Sequence, residues 1–322
     1  MGGESNPKAF SPCARRWPEG PDEGSHRPLS CVVDSARMGR RDPSSVRSVA
    51  TFSRKGRRPL IAAALFLTAT TAHAAPRVFS LDQCADQFVI ALAPREAIVG
   101  VSPRVLDVDS YMRAQAVGLP RRRASSEAIL ATRPSVVVRE WGGDLRLTRL
   151  LTRQGVTVVQ IDEADDFAGV RANVRKVAAA LGEPARGERL IDHMDGQISR
   201  ARGAWGGRGA IYLTPAGFTA GSGTLIDAVL TAAGLHNLAP APGFSEIPLE
   251  RLLAHPPPAL VLGFYDAYGV ASQQWGPGRH ASMRKIARER AIANLPASLL
   301  GCPGWFVGDA VEDLAVARRA HP

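Results

Sequence analysis

Two stretches decide the architecture: Glu127-Ala-Ile-Leu-Ala-Thr-Arg-Pro134, followed by Ser-Val-Val-Val, and Glu250-Arg-Leu-Leu-Ala-His-Pro-Pro257, followed by Pro-Ala-Leu-Val-Leu. Both read E-x-[IL]-L-A-x-x-P and then an apolar run. Each is expected to be a short helix whose Leu face packs inward, ended by Pro and dropping into a strand buried on both faces, as parallel sheets require. Helix-Pro-strand punctuation is common in α/β connections, so the similarity alone is weak evidence of duplication. The repeated Glu is the less expected part. A carboxylate in the first turn suits the helix dipole or meets a partner's cation.

Working outward, short Val- and Ile-rich runs alternate with helical patterns from Arg77 onward, the rhythm of an α/β protein. Strands are expected at 77–81, 98–102, 135–141 and 156–161, then at 210–214, 259–264 and, weakly, 298–300. Between the two series, Phe167, Val170, Val174, Val177 and Leu181 recur at three- and four-residue steps behind Asp165 and Asp166, an N-cap signal. Gly182-Glu183-Pro184 breaks the pattern, and Leu190, Ile191, Met194 and Ile198 resume it. The expectation is an α/β fold of two Rossmann-like lobes joined by a long helix, with a cleft between them. The domains would be an N-terminal lobe over 75–164, a helical bridge over 165–205 and a C-terminal lobe over 206–322.

Ahead of the lobes, residues 54–74 have the parts of a signal peptide. Arg54, Lys55, Arg57 and Arg58 form the basic stretch, an apolar run extends from Leu60 to about Ala69, and Ala72-His73-Ala74 ends it. That run is far short of the roughly 18–20 residues a membrane span needs. Residues 1–53 read as a leader that is disordered or never translated, with Met38 a more sensible start than Met1. No Cys follows Ala74 directly, which speaks against a lipid anchor.

The formal charge of +10 is mostly in this leader: residues 1–74 hold 12 Lys/Arg against 6 Asp/Glu, leaving +4 for the other 248 residues. A nucleic-acid partner is not expected, since phosphate tracking needs clustered cations. Arg121, Arg122 and Arg123 are the one dense run and read most simply as a solvated loop. His73, His193, His236, His255, His280 and His321 are scattered, so no metal site or cofactor is expected. No G-x-S-x-G elbow, Walker loop or G-x-G-x-x-G appears. An exported two-lobed α/β enzyme, of hydrolase or glycosyl-transfer type, remains the alternative.

The order of four segments then carries a resemblance. They are Arg77-Val-Phe-Ser-Leu-Asp-Gln-Cys-Ala-Asp-Gln87, the first Glu unit with its strand ending Arg139-Glu-Trp-Gly-Gly143, Phe218-Thr-Ala-Gly-Ser-Gly-Thr-Leu225 leading to Ala233-Gly-Leu-His-Asn237, and the second Glu unit. From Pro76 to about Leu314 the chain resembles the helical-backbone class of periplasmic binding proteins, which serve ferric-siderophore, haem and cobalamin ABC importers. The resemblance implies a periplasmic, monomeric protein exported by a cleaved signal peptide. It would carry a metal chelate to an ABC permease dimer in the inner membrane, docking through Glu127 and Glu250, one per lobe.

The ligand cleft would lie at the carboxyl ends of the strands, where α/β sheets leave a crevice. Asp82, Gln83 and Cys84, Arg139, Trp141, Phe218, Phe264, Tyr265, Cys302 and Trp305 fall there and are the ligand-binding candidates. Aromatics give broad apolar faces for a macrocycle or catecholate, and Arg139 or Arg279 could meet ligand carboxylates. Each aromatic also reads as core filler. Cys84 and Cys302 admit three readings: an interlobe disulfide, thiols touching ligand, or inert buried cysteines.

Overall fold

A computed structural model describes residues 76–140, 142–266 and 280–321. The leader, the signal peptide, Trp141 and Arg279 lie outside the described residues. Among the described residues no helix is long and apolar enough to cross a membrane.

The first lobe is a parallel four-stranded sheet. Its strands are β1 (Val78–Ser80), β2 (Ile98–Gly100), β3 (Val136–Glu140) and β4 (Thr157–Ile161), in the order β2-β1-β3-β4. The β-branched run Val136-Val-Val is buried on both faces, which places β3 at the sheet's centre. Helix α1 (Gln83–Leu92) follows β1, α2 (Ser126–Ala131) precedes β3, and α3 (Leu145–Arg153) joins β3 to β4.

The second lobe repeats this plan. Strands β5 (Arg208–Leu213), β7 (Leu235–Asn237), β9 (Leu260–Gly263) and β10 (Ala291–Leu295) form a parallel sheet in the order β10-β9-β5-β7. Read from its other edge, the order is second-first-third-fourth, as in lobe 1. Between β5 and β7 lie β6 (Phe218–Ala220) and α6 (Leu225–Ala232). Strand β8 (Phe244–Glu246) and α7 (Leu249–Ala254) then lead into β9, and α8 (Ala281–Arg290) precedes β10. The two Glu units are therefore the helices that enter the third strand of each sheet.

Packing shows the same duplication. In lobe 1, Ile129 of α2 is buried with Phe79, Val137 and Leu151 on the sheet's outer face. In lobe 2, Leu252 of α7 is buried with Leu213, Leu260, Met283 and Ile286. Each fully buried Ile or Leu contributes about 1.5–3 kcal/mol, so the apolar letters of the repeat are its structural part.

The bridge is a helical hairpin, α4 (Phe167–Ala180) and α5 (Pro184–Ala201), turning at Gly182 with φ +74. A side chain on Gly187 would come within 2.6 Å of the Ala178 Cβ, so glycine lets the helices close up. Arg171–Asp195 and Arg175–Glu188 ion pairs clasp them at 2.6 and 2.8 Å. Helix α5, about 27 Å long at 1.5 Å per residue, also packs along α10 (Val307–Ala317) of lobe 2.

Two expectations need correction. Residues 298–300 are not a strand but part of helix α9 (Ala297–Leu300), and the fourth strand of lobe 2 is β10. Its Ala291-Ile-Ala-Asn-Leu offers only two large apolar residues, too few to signal a strand. The strand expected to reach Phe264 stops at Gly263, because Phe264 adopts φ +66.

Candidate functional site

The carboxyl ends of the two sheets meet at one junction. Cys84, at the start of α1 just beyond β1, is disulfide-bonded to Cys302, just beyond α9, with Cα atoms 5.4 Å apart. This corrects the thiol reading: both sulfurs are buried and bonded to one another, so neither is a ligand-facing thiol.

Around the bridge the lobes share one continuous core. Trp305 is 4% exposed and sits edge-on to Phe88 at 5.6 Å and to Phe306 at 5.3 Å. Its indole therefore serves as core filler, the second reading offered for it. Tyr111 stacks on Phe306 at 4.5 Å and donates to Asp309 Oδ2 at 2.6 Å, while Gln197 Nε2 donates to Asp309 and Glu312. Beside this junction is a polar groove of about 540 Å³ lined by Tyr111, Arg113, Asp309, Glu312 and Asp313 among others. None of the residues expected to bind ligand lines it.

On lobe 1, Asp82 caps α1: Oδ1 accepts from Ala85 N–H at 2.8 Å and Oδ2 accepts from Glu140 N–H at 2.7 Å, tying the end of β1 to the end of β3. Burial pushes its carboxyl up, opposed by those two N–H donors and Arg139. Gln83 donates to Asp109 at 2.7 Å. Arg139 is buried, its Nε donating to the Glu140 carbonyl at 3.0 Å and Nη1 to Thr148 Oγ1 at 2.7 Å. These side chains are committed within lobe 1.

Glu140 is the group sequence reading passed over. Burial, then repulsion from Asp82 and Glu163, raises its carboxyl to about 7. Near neutral pH it can therefore donate a hydrogen bond as well as accept one. Asp86, raised to about 6 chiefly by burial, accepts from Ser102 N–H at 2.9 Å and from its hydroxyl at 2.5 Å.

Lobe 2 offers a different surface. A tight turn after β5 leads into β6, which pairs antiparallel with β8 so that Phe218 faces Glu246 and Ala220 faces Phe244. Directly opposed residues share a face, so Phe218 and Phe244 lie on one side of this ribbon. They are 41% and 43% exposed. Phe244 was missed because the ribbon pairs residues 24 to 28 positions apart, with no local periodicity to announce it.

At the end of β9, Phe264 is buried in the left-handed region, an uncommon conformation for a bulky residue. Among the described residues the buried Tyr265 hydroxyl has no hydrogen-bond partner, and burial raises its pKa. Trp141, the candidate in the position that the repeat makes equivalent to Phe264, lies outside the described residues.

Glu127 and Glu250 stand exposed in the first turns of α2 and α7. The Glu127 carboxyl is held below its usual range by its own N–H and by the hydroxyls of Ser125 and Ser126. Among the described residues no group of three or more His, Cys, Asp and Glu side chains is arranged to hold a metal ion.

Comparison with known proteins adds three findings. The family model described as "Periplasmic binding protein" matches residues 78–298. No curated protein matches the sequence. Among similar solved structures, the periplasmic haem-binding protein RhuT from Roseiflexus sp. RS-1, in apo form, is 25% identical, covering 77% of this chain and 99% of its own, with a TM-score of 0.57. A periplasmic haem-binding protein from Pseudomonas aeruginosa is 26% identical, covering 75% of this chain and 92% of its own, with a TM-score of 0.57. The vitamin B12-binding protein BtuF of Vibrio cholerae, 18% identical over 76% of this chain and 97% of its own at a TM-score of 0.53, shares the fold.

Proposed function

The chain belongs to the periplasmic binding protein family, whose members are solute-binding transport proteins and not enzymes, and we propose that it captures a metal chelate between its lobes for an ABC importer. The observation that carries the chelate reading is the exposed aromatic face of Phe218 and Phe244 on the lobe 2 ribbon. Exposed apolar rings match the flat face of a macrocycle or the rings of a catecholate. Haem stands first among the candidates, because the solved relatives at 25% and 26% identity bind haem. Corrinoids and ferric siderophores follow.

In this reading the protein works in the periplasm as a monomer, its signal peptide removed. Glu127 and Glu250 dock the two lobes on the permease dimer. Rim charges of this kind steer and register a transient complex while adding modest affinity. The deciding experiment is a titration of the purified protein with haem, cobalamin and several ferric siderophores, followed by visible absorbance. Saturable binding of haem at one equivalent per chain is expected. Binding of none of the panel would refute the chelate reading.

A further inference from the structure

The junction between the lobes is closely tied. The Cys84–Cys302 bridge, a core that runs through both lobes and the Tyr111–Asp309 hydrogen bond all hold it. Movement that admits a ligand is then to be sought within a lobe, and the β6–β8 ribbon is where the packing is incomplete. Among the described residues the ribbon is a sheet of its own, sharing no ladder with the four parallel strands of lobe 2. Each of its strands is three residues long. A two-stranded ribbon is marginally stable at best in water, so this one keeps its place through what lies beneath it.

Phe218 and Phe244 occupy the outer face of the ribbon, and Thr219 and Ser245, directly opposed in the register, occupy the inner one. Thr219 is fully buried. Among the described residues neither its hydroxyl nor that of Ser245, both cut off from solvent, has a hydrogen-bond partner. A buried hydroxyl that has lost water and gained nothing is unfavourable, and here two adjoining ones would be satisfied by water if the ribbon rose. Its ends carry the joints for such a movement. Gly217 and Gly243 have φ +84 and +70, and at each end one main-chain bond closes the ladder, Ile247 N–H to the Gly217 carbonyl at 2.9 Å and Gly221 N–H to the Gly243 carbonyl at 2.8 Å. A side-chain tie, Asn237 Nδ2 to the Ala220 carbonyl at 2.9 Å, links the ribbon to β7.

We propose that the β6–β8 ribbon is a moving strap, which lifts from lobe 2 about its glycine ends and is pressed back onto its seat when a ligand covers Phe218 and Phe244. This rests on the reading of those two rings as a binding face. In the lifted state the hydroxyls of Thr219 and Ser245 are hydrated; in the seated state the rings are presented to the ligand. A ligand that meets the rings only when the strap is seated shifts the population towards that state, by as much as its affinity for the two states differs. The frame around the strap stays as it is.

Residue-resolved amide hydrogen exchange of the whole protein provides the test. The bonded pairs at the two ends make Thr219 and Ser245 the bonded pair between them, so their N–H groups report the strap. Val261 and Leu262 of β9, paired on both sides by β5 and β10, report the frame. Without ligand, the strap amides should exchange about 100-fold faster than those of β9 or more. Thr219→Val with Ser245→Ala removes both hydroxyls and should slow exchange of the strap about tenfold. Saturating haem should slow it about tenfold in the wild-type protein. Strap amides as protected as those of β9 overturn the proposal, and so does a double variant that exchanges as the wild type does. Exchange unchanged by haem, where the absorbance titration saturates, overturns the closure by ligand. A haem titration that does not saturate refutes haem as the ligand instead, and the strap's movement is then decided by the first two comparisons, which need no ligand.

Discussion

Replacing both bridge cysteines, Cys84→Ala with Cys302→Ala, should cost global stability while leaving the fold intact. The disulfide closes a loop of 218 residues, and the chain-entropy relation gives about 5 kcal/mol for a loop of that length at 25 °C. That figure is a ceiling, since denatured chains are more compact than random coils and native bridges commonly contribute about 2–4 kcal/mol. Alanine is the right replacement. Cys84 and Cys302 are 4% and 7% exposed, so a serine hydroxyl would add its own burial penalty. The junction also keeps non-covalent ties, the Trp305 cluster and the Tyr111–Asp309 hydrogen bond. The variant should therefore lose about 3 kcal/mol, or about 6–12 °C in Tm for a chain of this size. The assay is guanidinium unfolding followed by far-UV circular dichroism and tryptophan fluorescence. Wild-type protein in excess reductant should shift its midpoint as the variant does. With the covalent tie gone, the two probes should also separate, since fluorescence includes Trp205 and Trp305, both buried in the shared core, while the helices report both lobes. A loss below about 1 kcal/mol with coincident probes would refute the view that the bridge holds the lobes together.

The Glu140 carboxyl, raised to about 7 in the fold from an ordinary 4.5, binds its proton more tightly folded than unfolded. Stability should then fall as pH rises from about 4.5 to 7, and Glu140→Gln should flatten that slope and gain about 1–3 kcal/mol at pH 8; urea midpoints across pH read this directly. Asp86, raised to about 6 from 3.8, adds to the same slope over pH 4–6. Phe218→Ala and Phe244→Ala should each weaken chelate binding about 5- to 30-fold with Tm unchanged within about 2 °C, since both rings are exposed; equal affinity in an absorbance titration would remove the ribbon from the site. Glu127→Ala combined with Glu250→Ala should abolish uptake in cells while leaving the chelate titration unchanged, and a lost titration would contradict docking.

What could be read from the sequence follows from which interactions are local. Val136-Val-Val and the stops at Pro134 and Pro257 speak through neighbouring residues, so the third strands, their entering helices and the broken bridge at Gly182 were all legible. Strand β10 exists because Ala293, Asn294 and Leu295 pair with Val261, Leu262 and Gly263. Nothing within Ala291-Ile-Ala-Asn-Leu requires it. The Leu299-Leu300 pair that suggested a strand instead forms the short helix begun at Pro296. The direction in which a candidate side chain turns was hidden for a related reason. A loop at a strand's end can face the cleft or the neighbouring lobe, and Trp305 and Arg139 turned inward because Phe88 and Thr148, 217 and 9 residues away, supply their partners.

The duplication also explains why the strand ends of the two lobes, the proposed walls of the cleft, are chemically unlike. On the packing side the lobes match residue for residue, Ile129 with Leu252 and Val137 with Leu260. At the strand ends the same register sets Glu140 against Gly263. A side chain at Gly263 would force the Tyr212 ring to move, because its Cβ would lie 2.3 Å from the Tyr212 hydroxyl. Lobe 1 thus brings a carboxyl that can give or take a hydrogen bond, and lobe 2 brings aromatic faces and the buried hydroxyl of Tyr265. A ligand polar all round would leave lobe 2 unsatisfied, and one apolar all round would strand Glu140. On the proposed reading, such a pair of walls would favour a chelate with a flat apolar face and a polar edge, bound in one orientation.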